Sequence, residues 1–278
     1  MLDELAALIA RHARPDGRTP IAGVLLSSVG QPGPPDTSTS GTVLALIARG
    51  GKRLMLGDRV FDYAAGQYLV ASVDLPVTGH FTGPSLGFGL ELRPSAIASL
   101  LVEADLPGGP VPSGIAVSDA SDDLLDAVIR MVRLIERPRD RAILAPMIER
   151  EILWWLITGE QAATVREMGL ADSGLTRISK AVAWIRANYA SPFRVEDLAR
   201  ECGMSVSAFH RGFQAVTALS PIQFRKRIRL QEARLRLATA GPGDIAQAGF
   251  AVGYESPSQF SRDYRRLFGV PPSSDRVR

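Results

Sequence analysis

Two arginines, Arg211 and Arg262, stand 51 residues apart in the same local setting, each six residues after a serine. A guanidinium presents a planar fork of N–H donors, which fits the acceptor edge of guanine or a phosphate. The repetition extends well beyond the arginines: Ser205, Phe209, Arg211, Phe213, Pro221 and Arg225 recur as Ser256, Phe260, Arg262, Tyr264, Pro272 and Arg276. In each copy the serine occupies a helix N-cap position, the aromatics follow four and eight residues later on one helical face, and the arginine falls on the opposite face.

The elements needed to hold those side chains are legible around them. A turn containing glycine precedes each serine (Gly203-Met204, then Gly253-Tyr254-Glu255), and a short amphipathic segment precedes each turn (Val195 to Cys202, then Asp244 to Phe250). Helix, tight turn and capped second helix form the helix-turn-helix pattern, and two in tandem imply a chain that reads two stretches of DNA major groove. The plainer alternative is a pair of helical hairpins whose aromatics only build a core. Both accounts bury the aromatics, so the outward residues decide.

In the first motif a helix from Ser205 to about Val216 places Val206, Phe209 and Phe213 inward and leaves Ser207, Ala208, His210 and Arg211 facing out. In the second, Pro257, Ser258, Gln259, Ser261 and Arg262 face out after Ser256. Arg211 and Arg262 suit guanine; Gln259 suits adenine or a phosphate; His210 is a donor to a base or phosphate, or an exposed structural histidine. Between the motifs Pro221 starts a helix running to about Ala238, whose first turns carry Arg225, Lys226, Arg227 and Arg229, a phosphate-facing run or simply a solvated face. Charge separates in the same direction. Residues 172–278 carry 17 Lys and Arg against 9 Asp and Glu, and residues 1–171 carry 15 against 20, within a chain of net charge +3. One domain facing phosphates and one that does not would produce this asymmetry.

The run from Val195 through Phe213, then Ser220-Pro221-Ile-Gln-Phe, then Ile245 through Pro272, resembles the AraC/XylS family of bacterial transcription regulators over about 100 residues. The resemblance implies that the outward positions of both second helices meet DNA. The end departs from the family pattern, which has an aromatic before the final arginine where this chain has Asp275-Arg276. Upstream, Phe61 to Val77 together with Gly87 to Leu92 is similar to the cupin-like N-terminal domain of one branch of that family.

The remaining residues narrow the role of the first half. Residues 1–13 read as a short helix, Ile21 to Val29 as a strand, and Gly30 to Gly41 as a loop. Strand-like segments follow at Val43 to Ala48, Arg53 to Leu56, Val60 to Tyr63, Tyr68 to Val73, Val77 to Phe81 and Leu86 to Leu92, then a helix over Pro94 to Ala104, together indicating a small antiparallel barrel. Helices over Asp122 to Glu136 and Arg139 to Thr158 carry apolar stripes that include Ile143, Leu144, Met147 and Ile148, suited to a dimer seam or to covering their own barrel. Cupin enzymes hold their metal with two or three histidines and a glutamate, and of His12, His80 and His210 only His80 falls in the barrel segment, so no metal or other cofactor is expected. No phosphate loop, nucleophile elbow or Cys-His pairing is present, and the single cysteine, Cys202, reads as a small buried hydrophobe. The start lacks the pattern of a signal peptide and no apolar run is long enough to span a membrane, so a cytoplasmic protein is expected.

The reading is an α+β chain of two domains: a cupin-like antiparallel β-barrel with a helix pair at its C-terminal end (1–160), a linker (161–172), and an all-α domain of two helix-turn-helix motifs joined by a long helix (173–278). Its expected role is a sequence-specific DNA-binding regulator, not an enzyme. The expected partners are double-stranded DNA, a small-molecule effector, a second copy of the chain and RNA polymerase, with no membrane. Two alternatives stay open: a cupin-fold enzyme carrying a DNA-binding domain, and a regulator whose first domain serves only dimerisation.

Overall fold

The computed structural model describes residues 1–106, 114–170, 173–240 and 245–275. Two compact units result, Met1–Arg177 with Ala215–Ala218, and Ile178–Gln214 with Leu219–Arg278.

The first unit opens with α1 (Leu2–His12), whose Asp3 and Glu4 in the first turn and Arg11 and His12 in the last complement the helix dipole. Strands β1 (Val24–Val29), β2 (Asp36–Thr39), β3 (Val43–Arg49), β4 (Gly51–Leu56), β5 (Arg59–Ala64), β6 (Gln67–Ala71), β7 (Pro76–Phe81) and β8 (Ser85–Glu91) precede α2 (Pro94–Ala104). Then come β9 (Ile115–Asp119), α3 (Asp122–Arg133), α4 (Pro138–Thr158) and α5 (Ala162–Gly169). The strands form two antiparallel sheets, one of order β1-β8-β3-β6-β9 and one of order β2-β7-β4-β5. Leu26, Leu44, Leu46, Leu56, Val70, Phe88 and Leu90 are buried in them. This is the barrel the strand spacing predicts.

Three segments depart from the sequence reading. Residues 30–41, expected to be a loop, contain β2, which pairs with β7 from Asp36 opposite Gly79 to Thr39 opposite Pro76. Its residues Asp-Thr-Ser-Thr carry no apolar alternation because they lie on a sheet edge, where backbone pairing alone forms the strand. β9, also unanticipated, adds to β6. Residues 161–172, expected to be a linker, hold α5, which buries Thr164, Val165, Glu167 and Met168 and packs on α2 and α4. The turn residues around 159–160 mark a helix junction within the first unit.

Helix α4 carries two apolar faces. Ile148, Ile152, Leu153 and Leu156 are buried, whereas Ile143 and Met147 are 69% and 62% exposed, with Leu144 and Trp154 also at the surface. The stripe read from the sequence therefore divides, and Ile148 belongs to the unit's own core.

In the second unit α6 (Gly174–Ala187), α7 (Val195–Glu201), α8 (Val206–Thr217), α9 (Pro221–Ala240), α10 (Ile245–Ala251) and α11 (Pro257–Phe268) follow in order. α9 starts where it does because Pro221 stands at its first turn and Ser220 and Gln223 cap each other reciprocally, Gln223 N donating to Ser220 Oγ at 3.3 Å and Ser220 N to Gln223 Oε1 at 2.9 Å. Its 20 residues make a rod of about 30 Å. Edge-to-face rings run through each motif: Phe213 against Phe224 at 5.5 Å in the first, Tyr254 against Phe260 at 5.4 Å and Phe260 against Tyr264 at 5.5 Å in the second.

Candidate nucleic-acid interface

The two motifs are built by the same backbone bonds. In the first turn Gly203 N donates to Arg200 O at 2.9 Å and Met204 N to Ala199 O at 2.9 Å; in the second Gly253 N donates to Phe250 O at 2.9 Å and Tyr254 N to Gly249 O at 3.0 Å. Both glycines adopt left-handed φ, +65° and +88°. Gly253 is further constrained, since a Cβ there would lie 2.3 Å from Ala190 O and 2.7 Å from Arg229 Nη2. These bonds recur 50 residues apart before the cap and 51 after it, because Glu255 is an extra residue between the second turn and its serine.

Each serine then caps its helix. Ala208 N donates to Ser205 Oγ at 3.3 Å and Phe209 N to Ser205 O at 2.8 Å; Gln259 N donates to Ser256 Oγ at 3.4 Å and Phe260 N to Ser256 O at 3.0 Å. With Phe209, Phe213, Phe260 and Tyr264 fully buried, the remaining faces of α8 and α11 are fixed by helical geometry. Ser205, Ser207, His210 and Arg211 are exposed and Ala208 half-buried; Pro257, Ser258, Gln259 and Arg262 are exposed and Ser256 and Ser261 half-buried. Among the described residues neither Arg211 nor Arg262 has an ion-pair or side-chain hydrogen-bond partner, so both forks are free.

Val206, expected on the core face, is instead 39% exposed, because it is the first residue after the cap, where the helix has no preceding turn to pack beside. Two further residues extend the outward faces. Gln214 and Arg265 are exposed one turn beyond Arg211 and Arg262, so 207, 210, 211 and 214 repeat as 258, 261, 262 and 265. The i, i+3, i+4, i+7 spacing would have found them.

The basic run on α9 is largely occupied within the unit. Arg225 stacks over Phe193 at 5.0 Å and donates to Ser191 O at 3.3 Å; Arg229 donates to Tyr189 O at 2.6 Å and Ala190 O at 3.0 Å. Burial pulls both guanidiniums below their ordinary pKa. Lys226 Nζ pairs with Asp263 Oδ1 on α11 at 2.6 Å. These cations brace α9 against the loop after α6 and against the second motif. Cys202 is buried before the first turn, and burial pushes its thiol up.

The far end of the second motif is closed by Asp275. Its carboxylate accepts from Tyr264 Oη at 2.8 Å and Arg234 Nε at 2.9 Å, while Arg234 lies over the Phe268 ring at 4.8 Å. The departure from the family pattern is thus a buried acid clasp. Arg276, the last residue of the repeat, lies outside the described residues.

In the first unit strand alternation places His80 opposite Arg53 and on the same face as Asp62, whose carboxyl is held below its usual range by Arg53, with burial opposing and His80 adding. Among the described residues no group of three or more His, Cys, Asp or Glu could hold a metal ion, and no helix is long and apolar enough to cross a membrane.

Comparison with known proteins matches residues 20–164 to the family described as the AraC-type transcriptional regulator N-terminus and residues 198–278 to the helix-turn-helix domain family. The chain is 26% identical over 170 residues to the virulence regulon transcriptional activator VirF of Yersinia enterocolitica, a match covering 60% of each chain. It is 26% identical over 151 residues to the transcriptional activator RhaS of Escherichia coli, covering 54% of this chain and 53% of that one. The match thus spans little more than half the length of these curated relatives. The structure of ToxT from Vibrio cholerae with an unsaturated fatty acid bound shares the fold, with a TM-score of 0.54 at 13% identity, covering 92% of this chain and 95% of that chain.

Proposed function

Because the chain belongs to the AraC-type transcriptional regulators, we propose that it binds double-stranded DNA specifically, laying α8 and α11 in the major groove through two helix-turn-helix motifs. The observation that carries this is the pair of identically capped helices, each presenting an arginine, Arg211 and Arg262, that is unpaired among the described residues and lies on the face opposite its buried aromatics. Ser207, His210 and Gln214, and Ser258, Gln259, Ser261 and Arg265, complete the two reading faces, with Ser205, Ala208, Ser256 and Pro257 at their starts. Arg225 and Lys226 keep only a supporting share of phosphate contact, because both are engaged within the unit. The first unit serves as sensor and dimerisation domain, working in the bacterial cytoplasm without catalysis. The effector is supported by the fatty acid named for ToxT, and the dimer by the exposed apolar face of α4. RNA polymerase enters as a partner through the family alone.

Footprinting upstream of the neighbouring genes, followed by anisotropy titrations of the site found, tests this. Arg211→Ala and Arg262→Ala should each weaken binding to that site by about 1–3 kcal/mol while nearly sparing random DNA. Equal losses on both DNAs would reduce the two arginines to phosphate contacts.

A further inference from the structure

Between the two sheets of the first unit lies a cavity of about 310 Å³, at the small end of ligand pockets, which run from about 300 to 1,000 Å³. Val43, Ala45, Leu54, Leu69 and Val77 supply apolar wall, and β2, the edge strand missing from the sequence reading, forms its rim with Asp36 and Ser38. Into this wall comes a lysine. Lys52 of β4 lies opposite Tyr63 of β5 and Phe81 of β7, on the same strand face as the buried Leu54 and Leu56. Room for its stem is left by a glycine: a Cβ at Gly79 would stand 3.7 Å from Lys52 Cε.

The ammonium has no ion-pair or hydrogen-bond partner among the described residues, only the face of the Phe81 ring 5.0 Å away. Burial pulls its pKa below the ordinary 10.5. Asp36, the acid on the rim, uses Oδ1 to accept from Thr37 N at 2.8 Å. In the same cavity the buried Tyr63 has no hydrogen-bond partner among the described residues for its hydroxyl, and burial raises its pKa. A desolvated cation and a spare hydroxyl in one apolar chamber are each costly for folding alone, and an oxyanion placed between them would relieve both.

We propose that this cavity binds a small organic carboxylate, its head on Lys52 Nζ and Tyr63 Oη and its apolar body against Val43, Ala45, Leu69 and Val77. The inference rests on the reading of the first unit as an effector-binding domain and specifies the class of effector. The apolar wall argues against a free inorganic oxyanion, which would forfeit hydration there and has no apolar body to bury against that wall.

Calorimetric titration of the full chain with octanoate, octan-1-ol and inorganic phosphate tests it. Octanoate should bind, the alcohol should bind more weakly by about tenfold or more, and phosphate more weakly still. Lys52→Met should weaken octanoate by about tenfold to hundredfold, the size of one lost charge-assisted hydrogen bond, while Lys52→Arg keeps most of the affinity. Without ligand, Lys52→Met should melt higher than the parent, because a desolvated charge has been removed. That melt also reports whether the variant is folded.

Octanoate binding equally well to Lys52→Met, the alcohol or phosphate matching octanoate, or no octanoate binding up to about 1 mM, where association is worth only about 4 kcal/mol, each overturns the assignment. The same samples titrated with operator and random DNA separate the two readings. Intact DNA discrimination without carboxylate binding sinks this inference alone, and the reverse result sinks the regulator reading.

Discussion

Replacing Asp275 by alanine should unlock the end of the second helix-turn-helix motif. Its side chain is only 7% exposed and receives Tyr264 Oη at 2.8 Å and Arg234 Nε at 2.9 Å. Hydrogen bonds to a charged group contribute about 1.5–3 kcal/mol each, and removing one partner of a buried ion pair costs about 3–5 kcal/mol. Arg234 keeps 23% of its side chain in water and holds its cation over Phe268, so solvent and the ring offset part of that cost and the loss falls below the buried-pair range, about 2 kcal/mol. Asp275→Asn should cost about half as much, since an amide oxygen still accepts from Tyr264 while the charge is gone. For a unit of roughly 100 residues, about 2 kcal/mol lowers the melting temperature by about 10 °C. Calorimetry on the full chain reads the transition of the second unit, and hydrogen exchange of residues 257–268 shows whether α11 loosens first. A drop under about 2 °C on alanine substitution would mean that the clasp adds no stability, and asparagine as damaging as alanine would mean that the charge on Asp275 carries the whole effect and the neutral acceptor to Tyr264 none of it.

Two other outcomes follow from packing and titration. Met147→Glu, on the exposed apolar face of α4, should convert a dimer to a monomer in sedimentation with unchanged helicity, whereas Ile148→Glu should unfold the first unit; a parent chain that sediments as a monomer would refute the dimer. Tyr254 and Tyr264 are pushed above their ordinary pKa of 10.0 chiefly by burial, with Asp263 and Asp275 adding. The folded state holds these protons more tightly than the unfolded one, so their contribution is complete below pH 10.0 and is lost as pH rises through the raised values. Tyrosinate absorbance and helicity should therefore change together in the alkaline range, and full ionisation near pH 10.0 with helices intact would contradict the burial argument.

The two motifs were legible in the sequence because everything that makes them is local. A capping serine, aromatics at helical spacing and a turn glycine act within a dozen residues, and helix geometry alone then sends Arg211 and Arg262 outward. The strands of the first unit other than β2 and β9 are legible for the same reason, through alternation and punctuating glycines. What depends on partners distant in the chain was not. β2 has no apolar alternation and exists because β7 offers it an edge; α5 reads as a connection in the sequence because its burial is supplied by α2 and α4. Arg225, Lys226 and Arg229 form one basic run in the sequence, yet each spends its charge on a different neighbour, and Asp275 reads as a family exception until Arg234 and Tyr264 are beside it. Lys52 is one more charged residue in a strand until β5 and β7 fold against it and leave its ammonium, among the described residues, with an aromatic ring and no carboxylate. Local periodicity fixes which way a side chain points, whereas the company it keeps across the fold sets its charge environment, and that is a property of the tertiary structure.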